Sequence, residues 1–152
     1  MKINYNVIRT NSDHNDFKTL VVELDKYLAV VNGDLHDFFD QFNQIDSIKH
    51  VIVVYDGSTK VGIGAIKAYS PSALEIKRMF VTPAYRNKGV GSIILNELEN
   101  WGKEMGFNQF ILETGVFMED AIALYRKNGY QVIPNYGQYE GVEDSICFQK
   151  VL

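Results

Sequence analysis

Hydrophobic positions along the chain change period several times, and the changes mark out its elements. Phe17, Leu20, Val21, Leu24, Leu28 and Val31 fall on one stripe of a helix. Ser12 or Asp13 can cap it, Asp16 adds acidic character at its start, and Asn32-Gly33 supplies a left-handed stop. Leu35, Phe38, Phe39 and Phe42 repeat the spacing and predict a short second helix after Asp34. Ile94, Leu98, Trp101 and Met105 stand at i, i+4, i+7 and i+11, which predicts a longer helix with Trp101 in its core. A last helix is expected over 121–127, ended by Asn128-Gly129.

Strand-like runs lie between these helices. Residues 3–9 make a first strand, and runs over 50–55 and 60–69 flank Asp56-Gly57-Ser58-Thr59, an Asp-Gly turn that reads as a hairpin. Gly62 and Gly64 lie two apart, on one face, where a neighbour must pack closely. The run over 74–81 adds a third antiparallel strand and ends at Pro83, which lacks a backbone donor. Strands at 109–114, 130–133 and 145–151 follow. Strand 74–81, the helix behind it and strand 109–114 form a right-handed crossover between parallel neighbours. The fold class is therefore α/β, with a sheet of mixed direction.

Two local irregularities stand out. Within 74–81, Glu75 and Lys77 share a face with Met79 and Val81, while Arg78 falls between Ile76 and Phe80; a bulge near 77–79 would change the phase. Beyond the strand, Arg86, Lys88, Gly89 and Gly91 precede a helix start. The first turn of a helix leaves four amides without intrahelical acceptors and carries about half a positive charge. Glycines there let an anion approach the backbone. The chemistry called for is a phosphate or pyrophosphate, with a glycine-rich turn between strand and helix as the bland alternative. A Walker A loop is excluded because Gly91 is followed by Ser92 and Ile93, and the dinucleotide fingerprint fails because position 94 is isoleucine.

What remains, Arg86-Asn87-Lys88-Gly89-Val90-Gly91, resembles the R/Q-x-x-G-x-G/A signature of the GNAT (Gcn5-related N-acetyltransferase) superfamily. ALYRKNGY, residues 123–130, resembles the family's A-x-x-L-Y-x-K-x-G-F/Y helix end, in matching order and separation. EIKRMFV, ETG and PNYGQY are similar to stretches of small bacterial members. The resemblance implies a mostly antiparallel central sheet with a V-shaped splay between two parallel strands, flanked by about four helices. It implies an acetyl-coenzyme A-dependent N-acetyltransferase acting on a small-molecule or peptide amine through a direct ternary complex. A module that binds or senses acyl-coenzyme A without catalysis is the alternative.

Composition narrows the setting. The 152 residues suggest one domain over 1–152. A net charge of −4 argues against general nucleic-acid binding. A single cysteine, Cys147, excludes an internal disulfide and fits a reducing compartment. The absence of a membrane-length apolar run or a signal-type N-terminus points to a cytoplasmic protein, monomeric or homodimeric. His14, His36 and His50 show no ligand spacing, so no metal site is expected.

Acetyl transfer to an amine needs a base, a stabilised oxyanion and a proton for the leaving thiolate. Glu75 and Glu113, on the strands flanking the expected opening, are the candidate bases, with ion pairing to basic neighbours as their alternative role. By resemblance, Met79, Phe80 and Val81 line the pantetheine and supply the oxyanion amide. The loop Arg86, Asn87, Lys88, Gly89, Val90, Gly91 and Ser92 would bind the pyrophosphate. Tyr125 occupies the family's general-acid position; the alternative is an aromatic packed on the cofactor. The family often has asparagine three residues before the helix alanine, where this chain has Met118. Tyr136 and Tyr139 lie in a loop before the last strand, with Gly137 and Gly141, that could close over the acceptor, or could simply be exposed. Phe38 is a further candidate for acceptor contact, with core packing as the alternative.

Overall fold

The computed structural model of the chain describes residues 4–32 and 47–152. Its strands are β1 (Asn6–Thr10), β2 (His50–Asp56), β3 (Thr59–Ala68), β4 (Ala73–Val81), β5 (Gln109–Gly115), β6 (Gln131–Ile133) and β7 (Ser145–Val151). They form one sheet in the order β1-β2-β3-β4-β5-β7-β6. Every neighbouring pair is antiparallel except β4 and β5. The helices among the described residues are α1 (Asn15–Asn32), α2 (Val90–Glu104) and α3 (Glu119–Lys127), one fewer than expected. The helix expected around Phe38 lies outside the described residues. No described helix is long and apolar enough to cross a membrane.

The sheet is covered on both faces, which explains the unbroken apolar run of β2. Val51 and Val53 join Phe17, Leu20, Val21 and Leu24 of α1, with Ile63, Ala65 and Phe80. Ile52 and Val54 join Ile94, Leu95 and Leu98 of α2 on the other face, with Ile66, Leu74 and Ile76. Burying each such aliphatic side chain contributes about 1.5–3 kcal/mol. The two glycines of β3 allow α2 to sit this close. A Cβ at Gly62 would come within 2.9 Å of Ile94, and one at Gly64 within 2.5 Å.

Two expectations change. Neither Ser12 nor Asp13 caps α1: His14 Nδ1 accepts the Asp16 amide at 3.1 Å, while buried Ser12 accepts the amide of Ile48. Trp101 is half-buried at the rim rather than in the core. The Arg9 guanidinium lies 5.0 Å over its ring and His50 meets it edge-on at 4.9 Å. Arg9 also pairs with Glu97 and Glu104, so α2 is tied to the far edge of the sheet.

Candidate active site

β4 and β5 pair over only three positions, Ala73 with Gln109, Leu74 with Phe110 and Glu75 with Ile111, and then part. The cause is a bulge at the expected place. Lys77 faces Ala65 and Phe80 faces Ile63, so Arg78 and Met79 together oppose Gly64. Arg78 takes up the extra residue with φ +58°, a left-handed conformation that an arginine adopts only at a cost of about 1–3 kcal/mol. The phase of the strand changes there. Leu74 and Ile76 point towards α2, Phe80 points towards α1, and Met79 packs with the α2 cluster. Arg78 is thereby turned to the α1 side, where its Nη1 donates to Asp25 at 3.2 Å.

Two cavities open from the splay. They share Leu24, Met79, Met118, Ala121 and Tyr125 in their walls. The larger, about 420 Å³, runs between β4, the loop over 85–92 and α3. Met79, Phe80, Val81, Arg86, Asn87, Gly89, Val90, Gly91, Ser92 and Tyr125 all line it. Lys88 does not; its ammonium stands 5.5 Å over the Tyr85 ring. Gly89 caps α2 with φ +84° and no side-chain hydrogen bond, and Asn87 also has a positive φ of 61°. The first amide to find an acceptor within the helix is that of Ile93, bonded to the Gly89 carbonyl at 3.1 Å. The amides before it have no intrahelical partner and offer themselves to an anion.

The motif's residues divide their work differently from the expectation. A Cβ on Gly91 would meet Leu124 of α3 at 2.8 Å, so this glycine admits a neighbouring helix. Gly89 has open space around its Cβ position and is required by its φ. Arg86 is a bracket: its Nε donates to the Val81 carbonyl at 3.1 Å, and its guanidinium stacks 4.8 Å over Tyr27 and 5.7 Å over Phe80. Asn128 Nδ2 donates to Ser92 Oγ and the Leu124 carbonyl, fastening the end of α3 to the start of α2.

The smaller cavity, about 110 Å³, is walled by charge on one side and by Leu24 and Leu28 of α1 on the other. Glu75 Oε2 accepts from Tyr136 Oη at 2.5 Å, and Lys77 Nζ is 3.8 Å from the other oxygen. Glu113 accepts from Ser145 Oγ at 2.6 Å. Burial raises the Glu113 pKa to about 7, and the neighbouring Glu75 adds to this; Ser145 and Lys77 act the other way. Tyr125 is buried, and desolvation followed by the Glu113 charge raises its phenol above the ordinary tyrosine value. It therefore stays protonated at any physiological pH.

Tyr136 and Tyr139 are not exposed loop residues. Tyr139 is 2 % exposed and lines the smaller cavity, and Tyr136 meets it edge-on at 5.8 Å. Phe38 lies outside the described residues. Sequence reasoning missed Leu24 and Leu28 in this wall and Ser145 beside Glu113. Lys77 was expected as a possible ion-pair partner of Glu75 and stands 3.8 Å from it, and Arg78 left a trace in the broken alternation of β4. Met118, where asparagine was expected, is the N-cap of α3 and lines both cavities with an apolar side chain. Among the described residues, no group of three His, Cys, Asp or Glu is placed to hold a metal ion.

A long cavity at the start of α2 thus meets a small charged one beside the buried Tyr125 phenol. Residues 16–130 match the sequence profile of the acetyltransferase (GNAT) family, and the chain belongs to that family. It is 32% identical over 135 residues to an IAA acetyltransferase of Azospirillum brasilense, covering 88% of each chain. Its fold is similar to that of a candidate acyl-CoA N-acyltransferase from Klebsiella pneumoniae, with a TM-score of 0.83, 25% identity and 99% of each chain covered. A GNAT family acetyltransferase from Elizabethkingia anophelis, solved with acetyl-CoA bound, shares the fold at a TM-score of 0.70 and 16% identity over 99% of this chain and 100% of that one.

Proposed function

We propose that the chain transfers the acetyl group of acetyl-coenzyme A to a primary amine, with both substrates bound together. The observation that carries this reading is the meeting of the two cavities at Tyr125, with Glu113 facing the smaller one. The larger cavity suits the coenzyme. The uncapped amides at the start of α2 suit its pyrophosphate, and the part of β4 left without a β5 partner suits an extended pantetheine arm.

The residues then divide the reaction. Most of a lysine-like amine, with a pKa of about 10.4, is protonated at neutral pH. Glu113, titrating near 7, takes a proton from it and leaves the nitrogen lone pair free. That lone pair forms the C–N bond at the thioester carbonyl, while the amide in the Phe80–Val81 stretch of β4 faces the charge gathering on the carbonyl oxygen. The C–S bond breaks, sulfur keeps the electron pair, and Tyr125 donates its phenolic proton to the thiolate; the surplus proton on the acylated nitrogen passes to the phenolate, which leaves a neutral amide and restores Tyr125. Glu75, held between Tyr136 and Lys77, orients the acceptor side and is the weaker candidate for the base.

The test is thiol release from acetyl-coenzyme A across a panel of primary amines, with the acetylated product confirmed by mass. Acetylated amine in step with free thiol is expected. Tight coenzyme binding with no thiol release for any amine would make the chain a binding module instead.

A further inference from the structure

We propose that Asn135 is a positioning residue for the transfer: it clasps the segment 135–145, and through that clasp it holds Ser145 against Glu113. This deepens the acetyl-transfer reading above and rests on it. One stretch of chain supplies a hydrogen bond to each carboxylate of the smaller cavity. Tyr136 Oη donates to Glu75, and at the other end of the stretch Ser145 Oγ donates to Glu113 at 2.6 Å. Between them the chain is irregular, with one short helical turn over Gly137–Tyr139 and positive φ at Gly137 and Gly141. Left to itself, such a segment would let its two ends drift.

Asn135 prevents the drift. Its Nδ2 donates to the carbonyls of Val142 and Ser145, each at 3.0 Å. Both partners are acceptors, so only the NH2 end of the amide can serve them. The Val116 amide, just past β5, donates to the Asp144 carbonyl at 2.9 Å and moors the closed segment beside Glu113's own strand. Ser145 is buried there, opposite Gly115 of β5. The titratable groups that face Glu113 are Glu75 and Lys77 of β4, Tyr125 of α3, Tyr139 of the segment and Cys147 of β7. Arg78, paired with Asp25 of α1, lines the same cavity. Burial raises both tyrosines and the cysteine above their ordinary values, so all three stay protonated near neutral pH. A hydroxyl that donates to a carboxylate favours its charged form. Ser145 thus works against desolvation at Glu113, and Asn135 fixes where Ser145 stands.

The experiment is the pH profile of kcat/KM for thiol release, with one primary amine throughout so that its own titration is common to every profile. The wild-type limb is expected near 7. Ser145→Ala should move it upward by about one to two pH units, the worth of a hydrogen bond to a charged group. Asn135→Ala should move it part of the way, and Ser145→Thr should return it to the wild-type position. The double variant should move no further than Ser145→Ala alone, because Asn135 acts through Ser145. The midpoint of a limb does not depend on the fraction of active protein, so partial misfolding does not disguise the result. Acetyl-coenzyme A affinity by calorimetry should be unchanged, since among the described residues none of 135–145 lines the larger cavity. A lower Tm in Asn135→Ala with the limb still near 7 overturns the inference and leaves acetyl transfer standing. Shifts of the single variants that add in the double do the same. A wild-type profile flat through 7 removes Glu113 as the base, and this inference with it. No thiol release with any amine overturns acetyl transfer itself.

Discussion

The two ends of the cleft are built on different principles. The end proposed for the coenzyme is made from backbone: uncapped amides of α2, two residues at positive φ, and an arginine that braces the loop. Its parts lie within a few residues of one another. The end proposed for the acceptor is made from side chains carried by α1, β4, β5, the loop after β6 and the first residue of β7. Backbone amides recognise any phosphate, so the first end can be local and general. Ionised side chains in a small cavity recognise one arrangement of charge, so the second must be assembled from afar. Tyr125 belongs to both ends, and it gives the sharpest test of where they join.

Tyr125→Phe keeps the ring and removes the proton. Turnover should fall by about 10²–10⁴-fold while the acetyl-coenzyme A dissociation constant barely moves. A variant keeping a third of the wild-type transfer rate in single-turnover kinetics would reduce Tyr125 to packing. Next in size is Glu113→Gln, for which a loss of about 10²-fold is expected. The base works deprotonated, so wild-type kcat/KM should rise with pH through about 7, and the variant should lose that limb. A pH profile unchanged in the variant would move the base elsewhere, first to Glu75.

The glycines separate the two roles within the coenzyme end. Gly89→Val forces a branched side chain to φ +84°, and the loop is expected to give way, weakening acetyl-coenzyme A about tenfold or more by calorimetry. Gly91→Ala should act first on stability. Its Cβ meets Leu124 at 2.8 Å, so a cost of about 1–3 kcal/mol and a lower Tm are expected. Equal losses of affinity with no change in Tm would mean that both glycines serve the phosphate. The smallest effect is at Tyr136→Phe, which removes the hydrogen bond to Glu75 and should cost about 1 kcal/mol, seen in the acceptor KM and not in coenzyme binding.

Legibility in the sequence follows the same division. The elements were readable because their signals are local: the stripe of α2, the Asp-Gly hairpin, and Pro83 after β4. The glycine-bearing loop ahead of α2 was readable for the same reason, although the sequence could not say that Gly91 makes room for Leu124. The cap of α1 and the rim position of Trp101 were misread because both depend on partners distant in the chain, Ile48 for the first and Arg9 and His50 for the second.

The acceptor end was hidden more deeply. Tyr136 and Tyr139 sit among glycines, which ordinarily means an exposed loop, yet the loop folds onto the sheet and one tyrosine is buried. Glu75 and Glu113 were legible as carboxylates on neighbouring strands, but the partners that hold each, Tyr136 for Glu75 and Ser145 for Glu113, come from distant parts of the chain. By itself the sequence determined the order of strands and helices, the bulge in β4 and the amides that await an anion, because these follow from neighbours a few residues apart. Only the tertiary structure decided that Arg78 turns inward beside Lys77, that Ser145 meets Glu113, and that α1 closes the cavity. Burial and charge at a point in space sum over every chain segment that passes it, and no local stretch of sequence contains that sum.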